Sequence, residues 1–364
     1  MKTEIASVEV GFYRIPLPVV LSDSTHGEMS AFELITVRIR DAGGAEGVGY
    51  TYTVGKGGGA VASLIQRDLA PLLKGRESDR VEALWQQMWW ALHYGGRGGS
   101  VSLAVSAVDI ALWDLKARRL GAPLWRLLGG HDPKVPAYAG GIDLDFPIEK
   151  LLAQTDENLR RGFRAIKMKV GRANLGEDVA RVATMREKLG PDFPLMVDAN
   201  MRWTADQAIR AAREFAAFNV YWLEEPTIPD DVAGHARIVR EGGLPVATGE
   251  NLHTLHEFKQ MIAAGGVTFP EPDVSNCGGI TAWMKVAHLA EAFNLPVTSH
   301  GVHDLHVHLL AAVPNRSYLE AHGFGLERFI AEPLVIREGF ATAPDRPGHG
   351  VELDWKGLDA LRAE

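Results

Sequence analysis

From about residue 135 the chain settles into one rhythm, a short apolar strand followed by an amphipathic helix, and keeps it to about residue 324. The strand segments read VPAYAG, AIKMKV, PLMVDAN, VYWLEEP, LPVATGEN, VTFPEPD, LPVTSHG and SYLEAHG. Helical stretches at 175–189, 204–218, 254–264 and 280–293 separate most of them. Strands alternating with helices pair in parallel through right-handed crossovers, because each helix carries the chain back over one face of the sheet. Eight such units can close on themselves, so the spacing predicts an α/β barrel. An open doubly wound sheet is the alternative, but no glycine fingerprint follows the first strand to support it.

The first 130 residues have another texture. Residues 3–14 and 33–40 alternate like strands on either side of the polar stretch SDSTHGEMS. After the glycine-rich loop GKGGG at 55–59, helical patterns fall at 60–73, 80–92 and 101–119. The divisions expected are an α+β module at 1–130, the barrel at 131–324, and a tail at 325–364 that packs back on the first module. A length of 364 residues suits a barrel of about 250 residues with an added module.

Composition removes several function classes. A net charge of −8 disfavours nonspecific nucleic-acid binding. No segment approaches the roughly 20 apolar residues that cross a bilayer. The N-terminal segment lacks the apolar run of a signal peptide. The single cysteine, Cys277, rules out an intrachain disulfide. A soluble cytoplasmic protein with no membrane or nucleic-acid partner is expected.

The chemistry is concentrated at the strand ends. Lys169, Asp198, Glu224, Glu250, Asp273, His300 and Glu320 each end a different predicted strand, 20 to 29 residues apart. One βα unit has about that length, so the seven converge on the rim where barrel active sites are built. Asp198, Glu224 and Glu250 come from consecutive strands, and three close anions need a cation among them. All-oxygen ligation points to a hard ion, Mg2+. The structural alternative is that these carboxylates pair with basic residues to tie strands together. Glu225 and Asn200 are neighbouring candidates for contact with ligand or substrate.

Lys167 and Lys169 lie two apart on one strand and face the same way. Their mutual repulsion, with partial burial beside a cation, is expected to lower a lysine pKa, as a base near neutral pH requires. Asp273 beside His300 would set the imidazole tautomer and complete a proton donor or acceptor. Glu320, if protonated, could hydrogen-bond a substrate carboxylate. His303, His306 and His308 invite a zinc reading, but they fall within a predicted helix and match no hydrolase spacing.

At these residues the sequence resembles the enolase superfamily, in particular its mandelate racemase subgroup, over essentially the whole chain. The resemblance implies a modified TIM barrel, (β/α)7β, with an α+β capping domain formed by the N-terminus and the tail. It also implies abstraction of the proton next to a carboxylate through an enediolate. Lys169 of the Lys-x-Lys motif looks like the base on one face and the His300–Asp273 pair like the base or acid on the other. Asp198, Glu224 and Glu250 look like the magnesium ligands, with Lys167 and Glu320 near the enolate oxygens. The segment PEPDVSNCGG has no lysine, unlike the muconate-lactonizing subgroup. Glu271 stands where relatives often carry glutamine. Relatives are commonly homo-oligomers.

The stretches LSDSTHGE, GYTYTVGKGGG, HYGGRGG, ENLHTLHEF and SNCGGIT resemble anhydro-sugar-acid cycloisomerases of that subgroup. The expected activity is cycloisomerisation or dehydration of a small sugar acid. The alternatives are a mandelate-type racemase of a 2-hydroxy acid and a noncatalytic binding protein on the same fold. Substrate contacts are expected from His26 in the first loop, from Tyr50, Tyr52 and Lys56 in the glycine-rich second loop, and from Asn200. His93, Tyr94 and Arg97 are weaker candidates. Trp85, Trp89, Trp90 and Trp113 read as packing residues.

Overall fold

The computed structural model describes residues 3–322 and 325–363. Strands β1 (Ile5–Asp23) and β2 (Gly27–Asp41) form a long antiparallel hairpin, with Val10 opposite Val37 and Phe12 opposite Ile35. The polar stretch expected to separate two shorter strands lies mostly inside them, leaving Ser24, Thr25 and His26 as the tip. Pairing satisfies the backbone there, and Leu17, Leu21, Met29 and Phe32 give the distal arm its own apolar cluster.

Strand β3 (Glu46–Thr53) adds to β2. Tyr50 and Tyr52 therefore stand on a strand, not in the glycine-rich loop expected from the sequence. Gly47 and Gly49 serve close packing. A Cβ on Gly49 would lie 2.1 Å from the Ala107 carbonyl oxygen, and one on Gly47 would lie 2.3 Å from that of Ala111. Both oxygens belong to the helix Ser100–Arg119, which is buried on nearly every side. Its buried polar groups are bonded, as burial demands. Asp109 accepts from the Thr281 N–H (2.8 Å) and hydroxyl (2.7 Å), and Asp114 from the N–H groups of Val48 and His349 (both 2.9 Å).

The barrel strands are β4 (Lys134–Gly140), β5 (Ile166–Lys169), β6 (Leu195–Asp198), β7 (Leu223–Glu224), β8 (Val246–Thr248), β9 (Phe269–Pro270) and β10 (Leu319–Ala321). They pair in parallel in that order from β4 to β9, and β10 returns to pair with β4. The segment LPVTSHG forms no ladder strand of its own. Pro296 has no N–H to offer. Val297 makes one parallel bridge to Arg316, and the Thr298 N–H bonds to the Pro270 carbonyl (2.9 Å), so this segment still fills the gap between β9 and β10.

Inside the cylinder, Tyr138, Ala165, Met196, Trp222, Ala247 and Phe269 form an apolar floor. Side chains two apart on a strand share a face. Met196 is thus followed on the inside by Asp198, Trp222 by Glu224, Ala165 by Lys167 and Lys169, and Phe269 by Glu271. A greasy layer carries a charged one above it.

The tail divides its contacts. Strand β11 (Phe340–Thr342) pairs antiparallel with β4, whereas the Arg14 N–H bonds to the Leu361 carbonyl and the Ala363 N–H to that of Phe12. His308, buried in the helix His303–Ala312, lies with Nε2 2.9 Å from the His349 carbonyl of the tail. Burial, reinforced by neighbouring His349, drives its imidazole down to about 3. Unfolded, the same group titrates near 6.5, so the unfolded chain binds the extra proton as pH falls. Its contribution is complete above about 6.5 and is lost as pH falls toward 3, at about 1.4 kcal/mol per unit. His308→Gln, which keeps a donor for the carbonyl, is expected to flatten the slope of stability against pH between about 6 and 4. Denaturant melts across that range check it, and an unchanged slope contradicts the assignment.

Candidate active site

The three carboxylates predicted as ligands meet. Asp198, Glu224 and Glu250 each offer an oxygen, and the three lie within 4.8 Å of one another. Among the described residues this is the acidic or histidine cluster able to hold a metal ion. Asp198 and Glu224 are fully buried, and Glu250 faces the mouth. Glu250 Oε2 accepts no hydrogen bond, although His300 Nε2 lies 3.3 Å away. The Trp222 indole N–H donates to Glu224 Oε2 (2.9 Å), and the Asn200 N–H to Asp198 Oδ1 (2.9 Å), fixing both carboxylates. Three hard oxygens held this way fit a magnesium ion, with positions left for substrate and water.

The basic groups flank this trio. Lys169 pairs with Asp198, and Lys167 pairs with Glu224 while lying 2.8 Å from Glu320 and 3.4 Å from Asp198. On the far side, His300 Nδ1 is 3.0 Å from Asp273 Oδ2. Asp273 Oδ1 accepts from the N–H and hydroxyl of Ser275, both at 2.7 Å. Lys169 thus contacts Asp198 and His300 lies against Glu250, different members of the trio.

Among the protein's own groups the electrostatic balance at Lys169, Lys167 and Glu320 favours the ionised forms. Burial disfavours the charge on Lys169 and Lys167 repels it, but the carboxylates, Asp198 foremost, outweigh both and hold the pKa above the usual lysine value. Lys167 is raised likewise, chiefly by Glu224 and Glu320 against burial. Repulsion between two ammonium groups loses to several anions. Burial also favours protonation of Glu320, yet Lys167 and His300 outweigh it and keep the group ionised. Glu320 therefore partners Lys167 and accepts from the Gly301 N–H (2.7 Å). Burial likewise opposes ionisation of Asp198, but Lys169 and Lys167 hold it at about 2. Burial works against the charge on His300, and Glu250 with the Asp273 hydrogen bond overcomes it, pulling the imidazole up to about 10.

Glu271 and Glu225 are both buried, and burial raises both carboxyl groups. The Tyr138 hydroxyl donates to Glu271 (3.3 Å), and the Asn251 amide donates to both oxygens of Glu225 (2.9 and 3.1 Å). Asn200, Met201, Glu225 and Val302 have φ between 30° and 64°. Left-handed backbone at non-glycine residues is costly and gathers at functional sites, here around one rim.

The capping residues divide. The hairpin tip docks on the end of β6: the Ser24 hydroxyl donates to the Ala199 carbonyl (2.7 Å) and the Thr25 hydroxyl to that of Asn200. His26 stands beside this seam with Nδ1 2.8 Å from Asp23 Oδ2. The Tyr52 hydroxyl reaches the base pair itself, 3.0 Å from Asp273 Oδ2 and 3.3 Å from His300 Nδ1. Tyr50, one step further from the rim, is in the core and its hydroxyl has no hydrogen-bond partner. Lys56 is exposed and makes none of these contacts. His93, Tyr94 and Arg97 are exposed, Tyr94 at 97%. Trp90 is 62% exposed and does not pack as expected, whereas Trp85 stacks on Trp89 and Trp113 bonds to Thr281.

The zinc reading fails on hydrogen bonding. His306 Nε2 accepts from the Val274 N–H (2.9 Å) and its Nδ1 faces the Gly301 carbonyl (2.8 Å), while His308 is held by the tail. Sequence reasoning missed Trp222, Ser275 and Asp23. Their signal was positional: Trp222 is two before Glu224, Ser275 two after Asp273, and Asp23 three before His26.

The chain belongs to the enolase superfamily. Residues 2–129 match the mandelate racemase / muconate lactonizing enzyme N-terminal domain, and residues 150–357 match the enolase C-terminal domain-like family. It is 61% identical to 3,6-anhydro-alpha-L-galactonate cycloisomerase of Streptomyces coelicolor, over 98% of this chain and 99% of that protein. Its fold matches the crystal structure of a magnesium-bound racemase from Streptomyces coelicolor at TM-score 0.97, with 60% identity over 99% and 100% of the two chains. It also matches an L-talarate dehydratase from Polaromonas complexed with Mg and L-glucarate at TM-score 0.94, with 36% identity over 99% and 98%. No helix among the described residues is long and apolar enough to cross a membrane.

Proposed function

We propose that this enzyme is a magnesium-dependent cycloisomerase of an anhydro-sugar acid. The observation that carries the reading is the trio of carboxylates with Lys169 against Asp198 and the His300–Asp273 pair against Glu250. Asp198, Glu224 and Glu250 would hold the ion. When bound, magnesium anchors the substrate carboxylate and offsets the second negative charge that an enediolate carries.

The side chains then have separate tasks. With an ion neutralising the carboxylates that hold their protons, Lys169 or His300 would serve as the base that takes the proton from the carbon next to the carboxylate. Lys167, held between Glu224 and Glu320, keeps a positive charge beside the developing anion; such preorganised groups are worth roughly 3–4 kcal/mol each. The bond from the neighbouring carbon to the ring oxygen breaks, its electron pair goes to that oxygen, and the opposite acid supplies the oxygen's proton. The enol left behind takes a proton on carbon and becomes a 2-keto acid isomeric with the substrate. No water is gained or lost. His26 and Asn200 stand at the seam between hairpin and barrel, where the rest of the sugar would be read.

The test is incubation of the purified enzyme with 3,6-anhydro-galactonate in D2O and magnesium. The expected product is an isomeric 2-keto acid carrying solvent deuterium. An open-chain sugar acid that loses one water under the same conditions, with the anhydro acid untouched, would make the enzyme a dehydratase instead. Absence of turnover and of exchange across a panel of acid sugars would count against catalysis.

A further inference from the structure

The capping domain does more than cover the site; the contacts of β3 point to a part in building the proton-transfer group on the His300 face. The Tyr52 hydroxyl lies 3.0 Å from Asp273 Oδ2, the same oxygen that lies 3.0 Å from His300 Nδ1, and is itself 3.3 Å from that nitrogen. The preceding residue secures the turn from the other side, for the Thr51 hydroxyl donates to the Ser275 carbonyl (2.7 Å). Ser275 in turn fixes Asp273 Oδ1 with two hydrogen bonds. Further along, the Trp85 indole N–H donates to the Gly278 carbonyl (2.7 Å), and the Ser106 hydroxyl accepts from the Gly278 N–H (2.9 Å). Residues of the capping domain thus hold the Asp273–Gly278 turn at three places.

We propose that Tyr52 is a positioning residue: its hydroxyl, reaching from the capping domain, holds Asp273 and His300 in one plane so that the imidazole presents Nε2 to the substrate. This rests on the two-base reading of the site. Both oxygens of Asp273 are then engaged, Oδ1 by Ser275 and Oδ2 by His300 and Tyr52. A carboxylate pinned at both oxygens cannot rotate, and an imidazole bonded to it keeps one tautomer and one orientation. Tyr52 is neutral here, since burial raises its phenol well above the usual value, so it acts as donor and not as a charge. The capping domain thereby becomes part of the acid–base machinery, and its seating on the barrel is a condition for proton transfer on the His300 face.

Tyr52→Phe removes one oxygen and leaves the ring. With the anhydro-sugar acid and magnesium, kcat is expected to fall about tenfold to a hundredfold, the worth of a hydrogen bond to a charged group, while KM moves less than about threefold. In a His300→Asn background the same substitution should change the residual deuterium exchange by less than about twofold, because a residue acting only through His300 has nothing left to act on. Equal losses in both backgrounds, or none in the first, overturn the proposal. A second measurement does not need turnover. In 15N-histidine-labelled, magnesium-loaded enzyme, the His300 Nδ1 resonance is assigned by its disappearance in His300→Asn. It is expected to shift in Tyr52→Phe and also, less strongly, in Thr51→Val. If that resonance stays in place, Tyr52 does not position the imidazole, whatever the substrate proves to be.

Discussion

His300→Asn should lower turnover by about 10²–10⁴-fold, and Lys169→Ala by a similar factor, because each removes a group that carries a proton in the transition state. Asn keeps a polar side chain of comparable length opposite Asp273, so the loss reports proton transfer and not collapse of the turn. Lys169 and His300 touch different carboxylates of the trio, so each single variant leaves one base intact. One of the two is therefore expected to retain wash-in of solvent deuterium at the α-carbon while producing no 2-keto acid. The variant that retains exchange identifies the remaining base as the one that abstracts the proton. Product NMR in D2O measures both quantities at once. Turnover within threefold of wild type in either variant would remove that residue from the mechanism.

The second large effect concerns the metal. Glu250→Gln should weaken magnesium binding at least a hundredfold and reduce turnover by about a thousandfold or more, since the loss of charge stabilisation is worth several kcal/mol. The accompanying stability signal is independent of catalysis. A ligand at one hundred times its Kd stabilises the folded state by about 2.7 kcal/mol, so the wild-type Tm should rise with magnesium and fall back on chelation. Glu250→Gln should lose that rise while keeping the wild-type Tm in chelator within a few degrees. Glu250 suits this test because it is half-buried and faces His300, whereas Asp198 neutralises buried Lys169 and its loss would strand a charge. A Tm that responds to magnesium equally in both proteins would show that the ion binds elsewhere.

Much of the barrel was legible because its signals are local. The helix expected at 175–189 is found at Leu175–Leu189, and Thr254 and Thr204 cap two others with the box that their sequences encode. The hairpin and β3 were read less well. YTYT follows GVG and, after Val54, GKGGG comes next, and glycines in such a run suggest a loop until the helix packed against them is known. Gly47 and Gly49 are there because the carbonyls of Ala107 and Ala111 come within reach of where a Cβ would sit, a contact some 60 residues away in sequence. Tyr50 and Tyr52 illustrate the same limit. They are alike in sequence and share a face of one strand, yet only Tyr52 reaches Asp273.

What the sequence determined by itself was the ring of seven ionisable side chains, since strand periodicity and βα spacing are properties of the chain alone. The protonation states were beyond it: the direction in which Lys169 and Glu320 shift depends on which opposite charges stand nearest across the barrel. That balance is a sum over distances between strands far apart in sequence, and only the closed cylinder sets those distances.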